Sequence, residues 1–327
     1  MRRRTLLLTL GVLAALGACG ALVVAEARVK FNAPGPLAKD TTLIVPHGTH
    51  GELGAALQRA GLVADAGDFR IAASVTSYVG AGPLRASEFA FPARASLKQV
   101  LTILRTARPV QHRFTIPEGL TAAQIALLLD RADALAGNSA VPDEGAVLPE
   151  SYAYEHGMSR SAMIERAATA MQRTLARLWA ERDATLPLAT PQEMVTLASI
   201  VERETARPEE RARVAGVLIN RLKRGMRLQS DPTVIYAVSG GTMTGGRTLT
   251  RADLDRDNPY NTYRVTGLPP GPIGSPGLAS LQAVARPLAT DELYFVADGQ
   301  GGHAFARTLE DHNRNVAKWQ ASQAAPR

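Results

Sequence analysis

The chain has 327 residues, 46% apolar and 20% charged, which is enough for about two domains and excludes a disordered polymer. The net charge is +7, and Arg2, Arg3 and Arg4 supply three of those charges. So small and scattered an excess argues against nucleic acid and is compatible with an anionic polymer or membrane surface.

Thr5 to Ala25 is an uncharged run of 21 residues behind the three arginines. At about 1.5 Å per residue a helix of that length just covers a ~30 Å hydrocarbon core. The arginines would stay cytoplasmic and place the body outside the inner membrane. Three readings compete: an uncleaved anchor over residues 1–27, a cleaved signal, and a lipoprotein signal in which Leu16-Gly-Ala-Cys19 resembles a lipobox. All three export the body. Cys19 is the only cysteine, so the folded body has neither a disulfide nor a cysteine metal site.

Val29 to Asp40 reads as a linker. Leu43–Pro46 predicts a strand, Pro46-His-Gly48 a turn, and Leu53, Leu57 and Ala60 a helix closed by Gly61. Ser96–Thr106 predicts another helix, with Leu97, Val100, Leu101 and Leu104 on one face. Strand, turn and helix recur from Phe114 to Asp133, which suggests a duplicated α/β module over residues 38–138. The polar stretch Asn138–Val147 is the expected domain boundary.

In the second domain, residues 139–320, Arg160–Arg182 predicts a long helix with Met163, Ile164, Ala167, Met171 and Leu175 as its buried stripe. Thr190-Pro-Gln-Glu193 opens the next helix, which runs to before Pro208. Arg211–Arg224 follows, closed by Gly225. Beyond it, Asp231-Pro232, Asn258-Pro259, Pro269–Pro272 and Ser275-Pro-Gly277 predict a rigid loop-rich surface. Leu293–Ala297 and His303–Phe305 should form a hairpin, and Thr308–Gln320 a closing helix with Leu309, Val316 and Trp319 facing inward.

Glu202 lies on the apolar helix among Leu197, Ala198, Ile200 and Val201. Burial there would favour its protonated form, as a general acid requires, whereas on the outer face the same residue would simply be solvated. Glu204, two residues on, should point elsewhere and be solvated. Gln229, Ser230, Asp231, Asn261, Tyr260 and Tyr263 are the polar and aromatic groups suited to sugar hydroxyls and C–H faces, though each could equally shape a turn or core. His303 and His312 are read as hydrogen-bonded structural residues, since they are too few for a zinc site and lack a carboxylate at ligand spacing. No phosphate-binding glycine loop is present.

Leu197-Ala-Ser-Ile-Val-Glu-Arg-Glu-Thr205, Val217–Leu222, Gly225–Tyr236, Tyr260-Asn-Thr-Tyr263, Gly267–Gly271, Leu293–Val296, Gly302-His-Ala-Phe305 and His312-Asn313 together resemble the endolytic murein transglycosylases, the MltG/YceG-like family. The resemblance runs from Leu43 to Val316. It implies an α+β protein with an N-terminal membrane helix, a LysM-like region of small α/β modules, and a mixed α/β catalytic domain with a loop-rich cleft. It aligns Glu202 with the catalytic glutamate, and Gln229, Ser230, Asp231, Asn261 and Tyr263 with the substrate-binding surface. It implies no cofactor and no metal. The implied substrate is nascent peptidoglycan strands, cut at the MurNAc–GlcNAc β-1,4 bond with 1,6-anhydro ring formation. The implied location is the inner membrane, single-pass with the body periplasmic, near peptidoglycan synthases. Two alternatives stay open: a muramidase using Asp231 as second carboxylate, and a non-catalytic glycan-binding scaffold.

Overall fold

Two hydrophobic cores organise the chain, one on either side of a division at residue 112. The computed structural model describes residues 2–138, 140–242 and 248–324, with the side chains of residues 2–9, 12 and 324 outside that description. The architecture is mixed α+β with three two-stranded sheets among the described residues.

The first unit comprises residues 1–112 and 154–157. It holds α1 (Arg2–Asn32), β1 (Thr41–Val45), α2 (His50–Arg59), α3 (Ala66–Tyr78), β2 (Ser87–Phe91) and α4 (Leu97–Thr106). Capping boxes start α2 at Thr49/Glu52 and α4 at Ser96/Gln99, each satisfying two otherwise orphaned backbone donors. β1 and β2 pair antiparallel with Leu43 opposite Phe89. Their inner face meets Leu57, Phe69, Val100 and Leu104 in a core that also buries Phe89 and Phe91. α1 continues through Val29 to Asn32, so the linker expected from Val29 begins only after the helix. Part of the expected membrane run lies outside the described side chains; among the described residues no helix is long and apolar enough to cross a membrane.

The second unit comprises residues 113–153 and 158–327. β3 (Gln111–Thr115) pairs with β4 (Ser151–Glu155), and residues 113–115 and 151–153 of these strands belong to this unit. The strand–turn–helix at Phe114–Asp133, expected in the N-terminal region, supplies α5 (Ala122–Asp130) to this unit, so the two similar segments belong to different units. α6 (Arg160–Ala180), α7 (Pro191–Glu204) and α8 (Arg211–Lys223) carry the second core. α7 starts at Thr190, whose side chain accepts from the Glu193 N–H, with Pro191 in the first turn where no N–H is needed. Every residue from Met194 to Val201 is buried, so α7 is enclosed on all sides. Each of its large apolar side chains contributes about 1.5–3 kcal/mol by burial. At Gly216 of α8 an added Cβ would lie 2.5 Å from the Leu288 carbonyl oxygen, so only glycine permits that close approach.

The region expected to be loop-rich contains three further helices, α9 (Asp231–Ser239), α10 (Arg251–Leu254) and α11 (Leu278–Ala285). α11 is largely buried against α7 and α8, and the proline punctuation before it marks the helix entry rather than a continued loop. β5 (Tyr294–Ala297) and β6 (His303–Ala306) form the expected hairpin, with Phe295 opposite Phe305. α12 (Leu309–Ala324) closes the chain, but Leu309 is exposed rather than inward-facing because it occupies the first turn of that helix.

Candidate active site

An α-helix turns about 100° per residue, so residues two apart face nearly opposite directions. Glu202 and Glu204, in the last turn of α7, therefore enter two different environments. Glu202 Oε1 accepts from Arg211 Nη2 at 3.2 Å and Oε2 accepts from the Gly277 N–H at 2.9 Å. Its side chain is only 5% exposed, and Arg211 also lies 3.5 Å from Glu118. Both oxygens of Glu202 are thus engaged in tying α7 to α8 and to the start of α11. Glu118, crowded by burial and by the neighbouring Glu202 charge, has its carboxyl pushed upward despite Arg211.

Glu204 is the reverse case, and the solvation expected for it is not found. Burial pushes its carboxyl up to about 7 from the ordinary 4.5, and the Asp231 charge adds to the rise. The Ser230 hydroxyl, His303 and Arg221 oppose that rise without cancelling it. Ser230 Oγ is buried against the Glu204 carboxyl, the group its hydroxyl engages.

The surrounding residues are held firmly. Ser230 precedes α9, and its N–H donates to Thr262 Oγ1 at 2.9 Å. Gln229, exposed just before it, adopts a left-handed backbone with φ of 51°, a strained conformation outside glycine of the kind that clusters at functional sites. Its N–H donates to the Thr262 carbonyl at 3.1 Å. Asp231 is exposed and accepts from the Tyr263 hydroxyl at 2.6 Å. Burial and that carboxylate push the Tyr263 phenol upward, so it stays protonated.

Asn261, expected to touch substrate, is fully buried. Its amide nitrogen donates to the Leu254 and Arg256 carbonyls, and its Oδ1 accepts from the Tyr263 N–H at 3.0 Å. It shapes the loop that presents Tyr263 and has no exposed surface for a sugar. Tyr260 packs against Tyr236 at 4.9 Å between ring centroids.

Two groups that sequence reasoning passed over, Arg221 and Glu210, complete the site. Arg221, buried on α8, donates to the Leu293 carbonyl at 2.6 Å and the Leu228 carbonyl at 2.7 Å. Glu210 accepts from Thr205 Oγ1 at 3.1 Å, and the same oxygen lies 2.7 Å from His303 Nδ1. That bridge fixes the His303 ring to the residue that follows Glu204. Burial alone would raise the Glu210 carboxyl, but its hydrogen bonds with His303 and Thr205 hold it below the ordinary range. His303 therefore has the structural partner expected of it, supplied by a glutamate distant in sequence.

Within this α+β fold a carboxyl raised to about 7 stands beside Ser230 and Asp231, the kind of group that general acid–base chemistry uses. The chain belongs to the YceG-like family, whose model it matches over residues 43–318. It is 43% identical over 130 residues to the endolytic murein transglycosylase of Bacillus subtilis, which covers 40% of this chain and 35% of that protein. It is 30% identical over 362 aligned residues to the endolytic murein transglycosylase of Streptococcus pneumoniae (strain D39), over 95% of this chain and 64% of the relative. The chain thus spans from about one third to under two thirds of the length of these relatives. A crystal structure of a yceG-like protein of Listeria monocytogenes superposes with a TM-score of 0.54 at 27% identity, covering 84% of this chain and 98% of that one.

Proposed function

We propose that this chain is an endolytic peptidoglycan lytic transglycosylase and that Glu204, rather than Glu202, is its acid. The observation that carries the assignment is the Glu204 carboxyl at about 7 beside the Ser230 hydroxyl and the Asp231 charge, against a Glu202 whose two oxygens are engaged by Arg211 and Gly277. Protonated Glu204 donates to the glycosidic oxygen between MurNAc and GlcNAc. The C1–O bond breaks, and the C6 hydroxyl of the same MurNAc attacks C1. Glu204, now a carboxylate, takes the hydroxyl proton as the 1,6-anhydro ring closes. Acid and base are one residue because donation and acceptance occur in sequence, and the intramolecular nucleophile supplies a large effective molarity.

In this reading Gln229 and the Tyr263–Asp231 pair orient the sugars, Ser230 positions the Glu204 carboxyl, and Asn261 acts through the loop it shapes. Asp231 also holds Glu204 in its acid form by charge repulsion. The paired β1 and β2 with α2 and α3 between them support a LysM-like, glycan-holding role for the first unit. The uncharged run Thr5–Ala25 supports single-pass anchoring in the inner membrane with the body periplasmic, where nascent strands leave their synthases. Internal cuts made there would limit strand elongation.

Purified protein incubated with sacculi tests the proposal by mass spectrometry. Products ending in 1,6-anhydroMurNAc are expected. Reducing ends, one water heavier, would overturn it in favour of a hydrolase using Asp231, and no cleavage at all in the wild type would overturn it in favour of a scaffold.

A further inference from the structure

The outer side of α3 is apolar and largely open to solvent. Ile71 is 59% exposed, Val75 57%, Tyr78 92% and Val79 73%. From Ile71 to Leu84 there are fourteen residues without one charge, bounded by Arg70 and Arg85. A soluble surface ordinarily carries charges in such a stretch, and a contiguous exposed apolar strip marks a contact site.

What covers this strip follows from α1. Lys30 of α1 lies 3.7 Å from Asp68 at the start of α3. A cleft of about 290 Å³ separates the two helices, walled by Val24, Ala27 and Phe31 on one side and Ile71, Val75 and Thr76 on the other. Val24 belongs to the uncharged run read above as membrane-spanning. The far end of α3 therefore shares an apolar cleft with a residue at the edge of the hydrocarbon. The charged side chains around the strip are mainly basic: Arg28, Lys30, Arg70, Arg85 and Arg105, against Glu26 and Asp68. Arg105 ties α4 to this end of α3 by donating to Thr76 Oγ1 at 2.8 Å and to the Gly82 carbonyl at 3.0 Å.

We propose that the Ile71–Leu84 segment is a second membrane contact, which lies in the interface of an anionic bilayer with Val75, Tyr78 and Val79 inserted and the basic rim at the headgroups. An apolar helix face flanked by arginines enters the interface to a depth of about 5–10 Å, and a tyrosine suits the headgroup level. Anionic lipid supplies the charge complementary to the rim. The consequence is that the first unit is fixed to the bilayer at two points instead of swinging on α1. This proposal rests on α1 spanning the membrane, and the experiment separates the two.

Full-length protein with Cys19→Ser is reconstituted into nanodiscs containing phosphatidylglycerol. An environment-sensitive NBD label is placed at Leu13→Cys or at Val79→Cys, with and without nitroxide-bearing lipid. Both labels should show blue-shifted emission and lose most of it to the nitroxide lipid. Adding Ile71→Glu and Val75→Glu should return the Val79 label to water while leaving the Leu13 label quenched; both residues are exposed, so the fold should tolerate them. A quenched Leu13 label with an unquenched Val79 label would overturn the second contact and leave the anchor standing. An unquenched Leu13 label would overturn the anchor and the proposal together. A Val79 label equally quenched in the double-glutamate variant would also overturn it.

Discussion

Replacing Glu204 by glutamine should abolish cleavage and, at the same time, stabilise the fold at alkaline pH. The amide keeps the shape of the side chain but cannot donate as an acid, which costs about 10²–10⁴-fold from general catalysis alone. The stability change follows from linkage. A carboxyl raised from 4.5 to about 7 on folding binds more protons in the folded than in the unfolded state between those values. Stability is therefore lost as pH rises through that window, by up to about 3 kcal/mol above pH 7, and is unaffected below pH 4. Glutamine removes the titration, so the variant should melt several degrees higher than wild type at pH 8 and close to wild type at pH 4. For the wild type, activity should fall as pH rises through about 7, by tenfold per pH unit on the alkaline limb. Sacculus digestion, pH–rate profiles and thermal unfolding of Glu204→Gln and Glu202→Gln read all of this. Glu202→Gln should keep measurable turnover and lose about 2 kcal/mol of stability, since it surrenders a charged hydrogen bond to Arg211. Loss of activity in Glu202→Gln with wild-type turnover in Glu204→Gln would refute the assignment.

Asp231→Asn should leave the 1,6-anhydro product unchanged and move the alkaline limb of the pH–rate profile to lower pH, because a charge that raises Glu204 is removed. Arg221→Met should cost about 3 kcal/mol or more, measured by denaturant unfolding, because the Leu293 and Leu228 carbonyls lose their buried donor. Gly216→Ala should cost about 1–3 kcal/mol in the same assay, since the new methyl meets the Leu288 carbonyl oxygen.

Where apolar periodicity and caps coincide, the sequence is legible. Thr190 with Pro191, and the apolar stripe from Leu97, locate the starts of α7 and α4 to within a residue, while α7 ends at Glu204, short of the stop expected before Pro208. α3 and β2 are not, because Ile71–Leu84 has neither a charge pattern nor a cap beyond Asp65 to separate helix from loop. α11 is hidden by the prolines before it, and its own residues are too uniformly apolar to show a helical stripe. The site was legible in its segments and not in its geometry. Ser230, Asp231 and Tyr263 gather as expected, but Asn261 is turned inward by three backbone carbonyls that no spacing rule reveals. The partners that separate Glu202 from Glu204, Arg211 and Gly277 for one and Ser230 and Asp231 for the other, lie between 9 and 75 residues away.

That separation explains how one helix end can carry two glutamates without ambiguity of role. α7 is enclosed from Met194 to Val201, so its last turn is the first point at which its side chains can reach polar surroundings. The Glu202 carboxyl, bound by Arg211 and a backbone N–H, fixes the helix in place. In the proposed reading the Glu204 carboxyl, raised by burial and by Asp231, is the one that exchanges its proton. The N-terminus of α9, just beyond Ser230, then offers its dipole to the anion that forms when Glu204 gives the proton away. Exchanging the two environments, by Arg211→Met together with Ser230→Arg, should therefore destroy activity without creating a new acid at position 202. Glu202 would keep its bond from the Gly277 N–H, which still engages one of its two oxygens.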